Sequence, residues 1–165
     1  MLIGPRRAVL IGAIAVVAAT IILLPLIFGA TAPRLNEVTV ALSNVTVLEA
    51  TAENMQMRVV FTVTNPTDQT ATTSRIDYEL FADGQSLGSH TLSYENVPLN
   101  GRPAIFSQNS VPLRDDEFVL EFDDRIADIY NKIRDNPDAI TWRAAGTAQI
   151  ESTLTLVPVT FDNEI

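Results

Sequence analysis

Cysteine is absent from the 165 residues, and histidine, tryptophan and lysine occur once each, as His90, Trp142 and Lys132. Without cysteine there can be no disulfide, no thiolate metal site and no cysteine nucleophile. Copper carriers of the cupredoxin type need two histidines and a cysteine, and structural zinc sites need cysteines or several histidines, so His90 alone supports neither. It falls in a predicted strand and reads as a strand-face residue. Positive charge is also scarce. The net charge is −9, and Arg6 and Arg7 are the only charged residues before Arg34, so the chain beyond residue 33 carries −11. A domain with no cationic stripe is a poor match for a phosphate backbone, and nucleic acid is not an expected partner. The acidic, lysine-poor surface would stay hydrated in concentrated salt, where self-repulsion is screened.

Charge is missing altogether from Ala8 to Phe28, AVLIGAIAVVAATIILLPLIF. As a helix this run would reach about 31 Å, close to the roughly 30 Å hydrocarbon layer of a bilayer. The expectation is a single transmembrane helix over 8–28, with a cytoplasmic N-terminus at 1–7 set by Arg6 and Arg7, a linker at 29–36 and an extracytoplasmic domain at 37–165. A cleaved signal peptide is the rival, since Ala30-Thr31-Ala32 has the form of a cleavage site. The apolar run exceeds the usual signal core, and Pro33 would follow the cut. Within the run Ala8, Gly12, Ala15 and Ala19 form a stripe of small residues, a candidate helix-packing surface through which the chain could dock as an accessory subunit of a membrane complex.

Beyond the linker the apolar residues alternate. Val38, Val40 and Leu42 do so; Met55, Met57, Val59, Phe61 and Val63 do so over a longer run, and Ile76, Tyr78, Leu80 and Ala82 lead into Asp83-Gly84, a two-residue hairpin signal. Further strands are predicted at 85–94, 104–113, 118–122, 140–150 and 154–161, with Pro158 marking an edge or bulge. One helix is predicted from Asp124 to Asp135, where Ile126, Ile129, Tyr130 and Ile133 share a face. This pattern predicts a mainly β fold, an antiparallel β-sandwich with one short helix.

An alternating strand ends at Val63-Thr64-Asn65-Pro66. A nine-residue spacer, Thr67 to Arg75, follows, and then Ile76-x-Tyr78-x-Leu80-Phe81-x-x-Gly84-x-x-Leu87-Gly88. Proline cannot donate a ladder hydrogen bond and keeps the residue before it extended, so Asn65-Pro66 ends a strand without reversing it. The combination resembles the water-stress and hypersensitive-response (WHy) domain of the late embryogenesis abundant group 2 proteins, and the likeness continues through Val97-Pro98-Leu99 and Val111-Pro112-Leu113 to about residue 161. Where that family usually has an aliphatic residue soon after Asn-Pro, Gln69 to Thr73 here are polar or small. The resemblance implies an immunoglobulin-like or fibronectin-III-like sandwich, often membrane-anchored, associated with stress tolerance and with weak protective binding of proteins or surfaces. It implies no catalytic residues; Asn65, Pro66, Tyr78, Leu80 and Gly84 carry over as structural markers.

The remaining motifs are thin. Asp115, Asp116, Glu117, Glu121, Asp123 and Asp124 form the densest acidic run, yet no D-x-[DN]-x-[DN]-G loop accompanies them, and they read as a solvated face rather than a calcium site. No G-x-S-x-G turn is present. Asn44-Val45-Thr46 is a candidate N-glycosylation sequon on the outward domain. The expected function is a non-catalytic, stress-protective or envelope-protein-binding module in the cell membrane, without cofactor or small-molecule substrate.

Overall fold

The computed structural model describes residues 17–21, 34–152 and 155–165, and the chain divides into two compact units, residues 1–32 and 33–165. In the first unit, residues 17–21 are helical and exposed. Among the described residues no helix is long and apolar enough to cross a membrane. Most of the 8–28 run, with Ala8, Gly12 and Ala15, lies outside the described residues.

The second unit is mainly β. Its strands are β1 (Thr39–Ala50), β2 (Asn54–Asn65), β3 (Ala71–Ala82), β4 (Gln85–Ser93), β5 (Ala104–Ile105), β6 (Asn109–Glu121), β7 (Trp142–Glu151) and β8 (Leu156–Glu164), with one helix, α1 (Ala127–Asp135), between β6 and β7. They form two antiparallel sheets, β1-β2-β6 and β4-β3-β7-β8, and β5 pairs with the start of β3.

Period-two alternation explains why these segments bury one face. Met55, Met57, Val59, Phe61 and Val63 of β2 and Ile76, Tyr78, Leu80 and Ala82 of β3 all point into one core. The sheets meet through aromatic rings: Phe61 lies edge-on to Tyr78 at 4.8 Å between centroids and to Phe161 at 5.4 Å. Pairs in this geometry add about 0.5–1.5 kcal/mol beyond area burial. At the side where β1 adjoins β8, Asn163 clasps the edge backbone of β1. Its Nδ2 donates to the Leu42 carbonyl at 3.1 Å, and its Oδ1 accepts from the Leu42 N–H at 2.8 Å. Pro158 sits on β8, an edge strand, as expected.

Asp83 and Gly84 both have positive φ, 49° and 82°, and turn β3 into β4 as the Asp-Gly pair predicts. Helix α1 buries Ile129, Tyr130 and Ile133, with a 3₁₀ turn at Asp124–Ile126 in place of its predicted first turn. Asp123 caps that turn by accepting from the Arg125 N–H at 2.8 Å.

Three boundaries differ from the alternation reading. β1 runs on to Ala50, because register shifts at Leu42/Asn44 and Val47/Glu49 reset its phase and hide the pattern. β3 begins at Ala71, before the alternating run that starts at Ile76, so only residues 66–70 cross between sheets. The two strands expected at 104–113 and 118–122 are one long strand, β6, preceded by the short β5. Its register against β2 jumps from Val59↔Asp115 to Met57↔Phe118, and this bulge shifts the inward phase from Leu113 and Asp115 to Phe118 and Leu120.

Candidate functional site

The structure gives the Asn-Pro dipeptide a specific job. Asn65, the last residue of β2, is 0% exposed. Its Nδ2 donates to the carbonyl of Gln69 at 2.7 Å and to that of Ile105 at 3.0 Å. Its Oδ1 accepts from the Thr67 N–H at 3.1 Å and from the Thr67 hydroxyl at 2.7 Å. One carboxamide therefore ties the end of one sheet, the crossing turn and β5 of the other sheet. Pro66 extends the chain past the joint, and its carbonyl accepts from Gln108 Nε2. The Thr67 carbonyl accepts from the Gln108 N–H at 3.2 Å and the Ser107 hydroxyl at 2.9 Å. From the spacer the network takes the Thr67 hydroxyl and the backbone carbonyl and N–H of Gln69.

A second polar cluster lies between the sheets near the edge strands β4 and β6. The β6 bulge leaves Asp115 facing inward at 2% exposure. Its Oδ2 accepts from the Tyr78 hydroxyl at 2.8 Å, and its Oδ1 accepts from the Glu117 N–H at 3.0 Å. His90, opposite Tyr78 on β4, brings Nε2 to 3.5 Å from the same Oδ2, with 29% of its side chain exposed. Phe118 closes the group, 5.7 Å from the His90 ring and 6.2 Å from the Tyr78 ring between centroids. Burial, reinforced by the Asp115 charge and hydrogen bond, pushes the Tyr78 phenol far above its usual range. Tyr94 shifts the same way through burial and Asp115. A phenol this strongly held as a donor stabilises a buried carboxylate and is a poor acid or nucleophile. Tyr78→Phe is expected to cost about 1–3 kcal/mol by leaving the Asp115 oxygen without its donor. Urea unfolding of Tyr78→Phe, Asp115→Asn and the double variant checks this, and the two substitutions should be markedly non-additive.

The acidic run does not converge. Asp115 points in, while Asp116 points out and takes a two-pronged pair from Arg58 at 2.5 and 3.0 Å. Asp123 is held by Arg125. Among the described residues no group of three or more histidines or carboxylates is placed to hold a metal ion. The depression over the outer face of the β4-β3-β7 sheet has Asp77 engaged by Arg75 and Thr91, and Glu79 engaged by Ser86.

Salt pairing makes stability sensitive to acid. The Lys132 and Thr141 hydrogen bonds hold the Asp83 carboxyl below its ordinary 3.8, Arg58 does the same for Asp116 and Arg143 for Asp162. Burial opposes the effect at Asp77, but the Arg75 and Thr91 hydrogen bonds outweigh it. Arg125 draws Asp123 down to about 2. Each group binds its proton more weakly folded than unfolded, so its contribution is present above the unfolded carboxylate range and is lost as pH falls through the folded value, which for Asp123 is about 2. The urea midpoint is expected to hold steady from pH 7 to about 5 and to fall below about 4, with a shallower fall in high salt.

Asn44 is exposed at the first bulge of β1, an edge strand, and its Nδ2 donates to the Thr46 hydroxyl at 3.1 Å. Leu80 and Tyr78 are core residues, and Gly84 is in the turn. Ala19 is helical and exposed. Sequence reasoning grouped Asp115 with the solvated acids; its spacing of two from Leu113 was the available signal. Asn163 carried no signal short of the fold itself.

No protein-family model matches the chain, and no curated protein matches its sequence. Solved structures do. A protein of Arabidopsis thaliana solved in solution is 14% identical, with 76% of this chain and 79% of that chain covered and a TM-score of 0.51. Another solution structure, described as a late embryogenesis abundant (LEA) protein, is 14% identical over 96% of this chain and 87% of that one, with a TM-score of 0.45. A crystal structure from Archaeoglobus fulgidus gives 14% identity, 76% and 94% coverage and a TM-score of 0.43.

Proposed function

We propose that the chain is a non-catalytic, single-pass membrane protein whose WHy-like domain, of immunoglobulin or fibronectin-III type, faces outward and binds proteins or envelope components protectively under stress. The observation that carries the reading is the Asn65-Pro66 joint. The residues that carry the resemblance form a buried bracket between the sheets. The fold shared with the Arabidopsis protein agrees with it. The unbroken apolar run 8–28 behind Arg6 and Arg7 supports the tether and its direction. The Tyr78–Asp115 pair is built for stability, so a binding role fits this interior better than an enzymatic one.

Purified full chain in vesicles should keep a desiccation-sensitive soluble enzyme from aggregating through a drying cycle. An Asn65→Ala variant, whose bracket is broken, should protect less well through the same cycle. Equal aggregation with and without the full chain, together with a stoichiometric membrane partner lost on Ala15→Leu, would replace this reading with the accessory-subunit one.

A further inference from the structure

The register within each sheet, together with the Asn65–Ile105 hydrogen bond between them, places the start of β1, the end of β2, the starts of β3, β6 and β8, the end of β7 and all of β5 at one end of the domain. The chain enters there. Leu35 and Val38 are already buried in the core, so the domain is fixed from Leu35 onward. Only six residues separate Phe28 from Leu35. This is the proximal end of the domain, the one nearer in sequence to the 8–28 run.

Two properties distinguish it. First, it carries the two most exposed large apolar side chains of the domain's described residues, Phe106 at 61% and Leu156 at 56%. Phe106 is held out on the turn that follows β5, whose backbone is fixed by Asn65 and by the Asn109 N–H donating to the Phe106 carbonyl at 3.2 Å. Second, its charges are largely paired: Arg102 with Glu151 at 2.5 Å, Arg34 with Glu37 at 3.5 Å and Arg75 with Glu95 at 3.9 Å. The opposite end, with the Asp83 turn and α1, carries Glu53, Glu121, Asp124, Asp128 and Asp138. On a domain of net charge −11, a near-neutral end with an outstanding phenylalanine and leucine is the part a lipid headgroup layer accepts, while the acidic end is repelled by anionic lipid.

We propose that the proximal end of the domain rests in the headgroup layer of a lipid bilayer through Phe106 and Leu156. The proposal depends on the tether reading above and specifies what the tethered domain touches. Because the chain has no cysteine, single-cysteine labels report cleanly. Full chain in phosphatidylcholine vesicles would carry a nitroxide at Phe106→Cys or, as the remote control, at Val119→Cys, which is also exposed. The ratio of accessibility to dissolved oxygen over accessibility to a water-soluble nickel chelate should be at least about threefold higher at position 106 than at 119. With the label at Asp68→Cys instead, adding Phe106→Ser and Leu156→Ser should abolish the excess. Including one third phosphatidylglycerol should not raise it. Equal ratios at 106 and 119 in a chain that resists alkaline carbonate extraction would overturn the docking and leave the tether standing. Extraction by carbonate would overturn both.

Discussion

Gly146→Ala is expected to lose about 3 kcal/mol or more, a large share of the 5–15 kcal/mol typical of a domain. Gly146 lies on β7 directly opposite Tyr78 of β3. A Cβ there would sit 2.1 Å from the Asp77 carbonyl oxygen and 2.8 Å from the Tyr78 Cα. Both are backbone atoms, so no side-chain rotation relieves the clash; β7 must move away from β3. That movement is blocked, because β3 pairs with β4 on its other edge and β7 carries β8. Displacing β3 would also disturb the Tyr78–Asp115 hydrogen bond next to it. Gly84→Ala supplies the contrast. Gly84 has a φ of 82° and open space where a Cβ would go, so its cost is conformational, about 1 kcal/mol. Urea melts of the two variants should separate these mechanisms by the size of the loss. Equal losses would show that the strands slide freely and that the β3–β7 contact is not tight.

The contrast also shows where sequence reading works and where it stops. Alternation alone identified the buried faces of β2 and β3, and the Asp-Gly pair identified the hairpin of β3 with β4, because both depend on residues close in the chain. Bulges defeat the same rule. In β6 one extra residue between Asp115 and Phe118 moves the inward phase by one, so one strand reads as two and Asp115 reads as solvated. Its burial depends on Tyr78, 37 residues earlier. The clasp of Asn163 on Leu42 spans 121 residues, and nothing local to either announces it. Asn65 was legible as a marker through the WHy resemblance, but not as a bracket, since its partners come from Thr67, Gln69 and Ile105. The candidate helix-packing residues Ala8, Gly12 and Ala15 rest on the apolar run alone.

Asn65→Ala and Asn65→Asp together test whether the joint acts through its donors or merely through its volume. Alanine leaves the carbonyls of Gln69 and Ile105 and the N–H and hydroxyl of Thr67 without their buried partner. At about 1–3 kcal/mol for each orphaned group, and with strong non-additivity within one network, the expected loss is about 3–4 kcal/mol. Aspartate keeps the shape, and its oxygens can still accept from Thr67. The atom that replaces Nδ2 then turns a lone pair toward two carbonyl oxygens, and a charge is buried without a cation. The Asp variant is therefore expected to be at least as unstable as the Ala variant at pH 7 despite being isosteric. Its folded-state carboxyl should bind its proton more tightly than the unfolded one does. Its deficit relative to wild type should consequently be smallest at low pH, below the unfolded carboxylate range, and should grow as pH rises through the folded value. Paired urea melts at pH 4 and pH 7 check this. An Asn65→Asp variant as stable as wild type at pH 7 would mean that the carbonyls of Gln69 and Ile105 do not need the Nδ2 donor, and the bracket would then hold through packing alone.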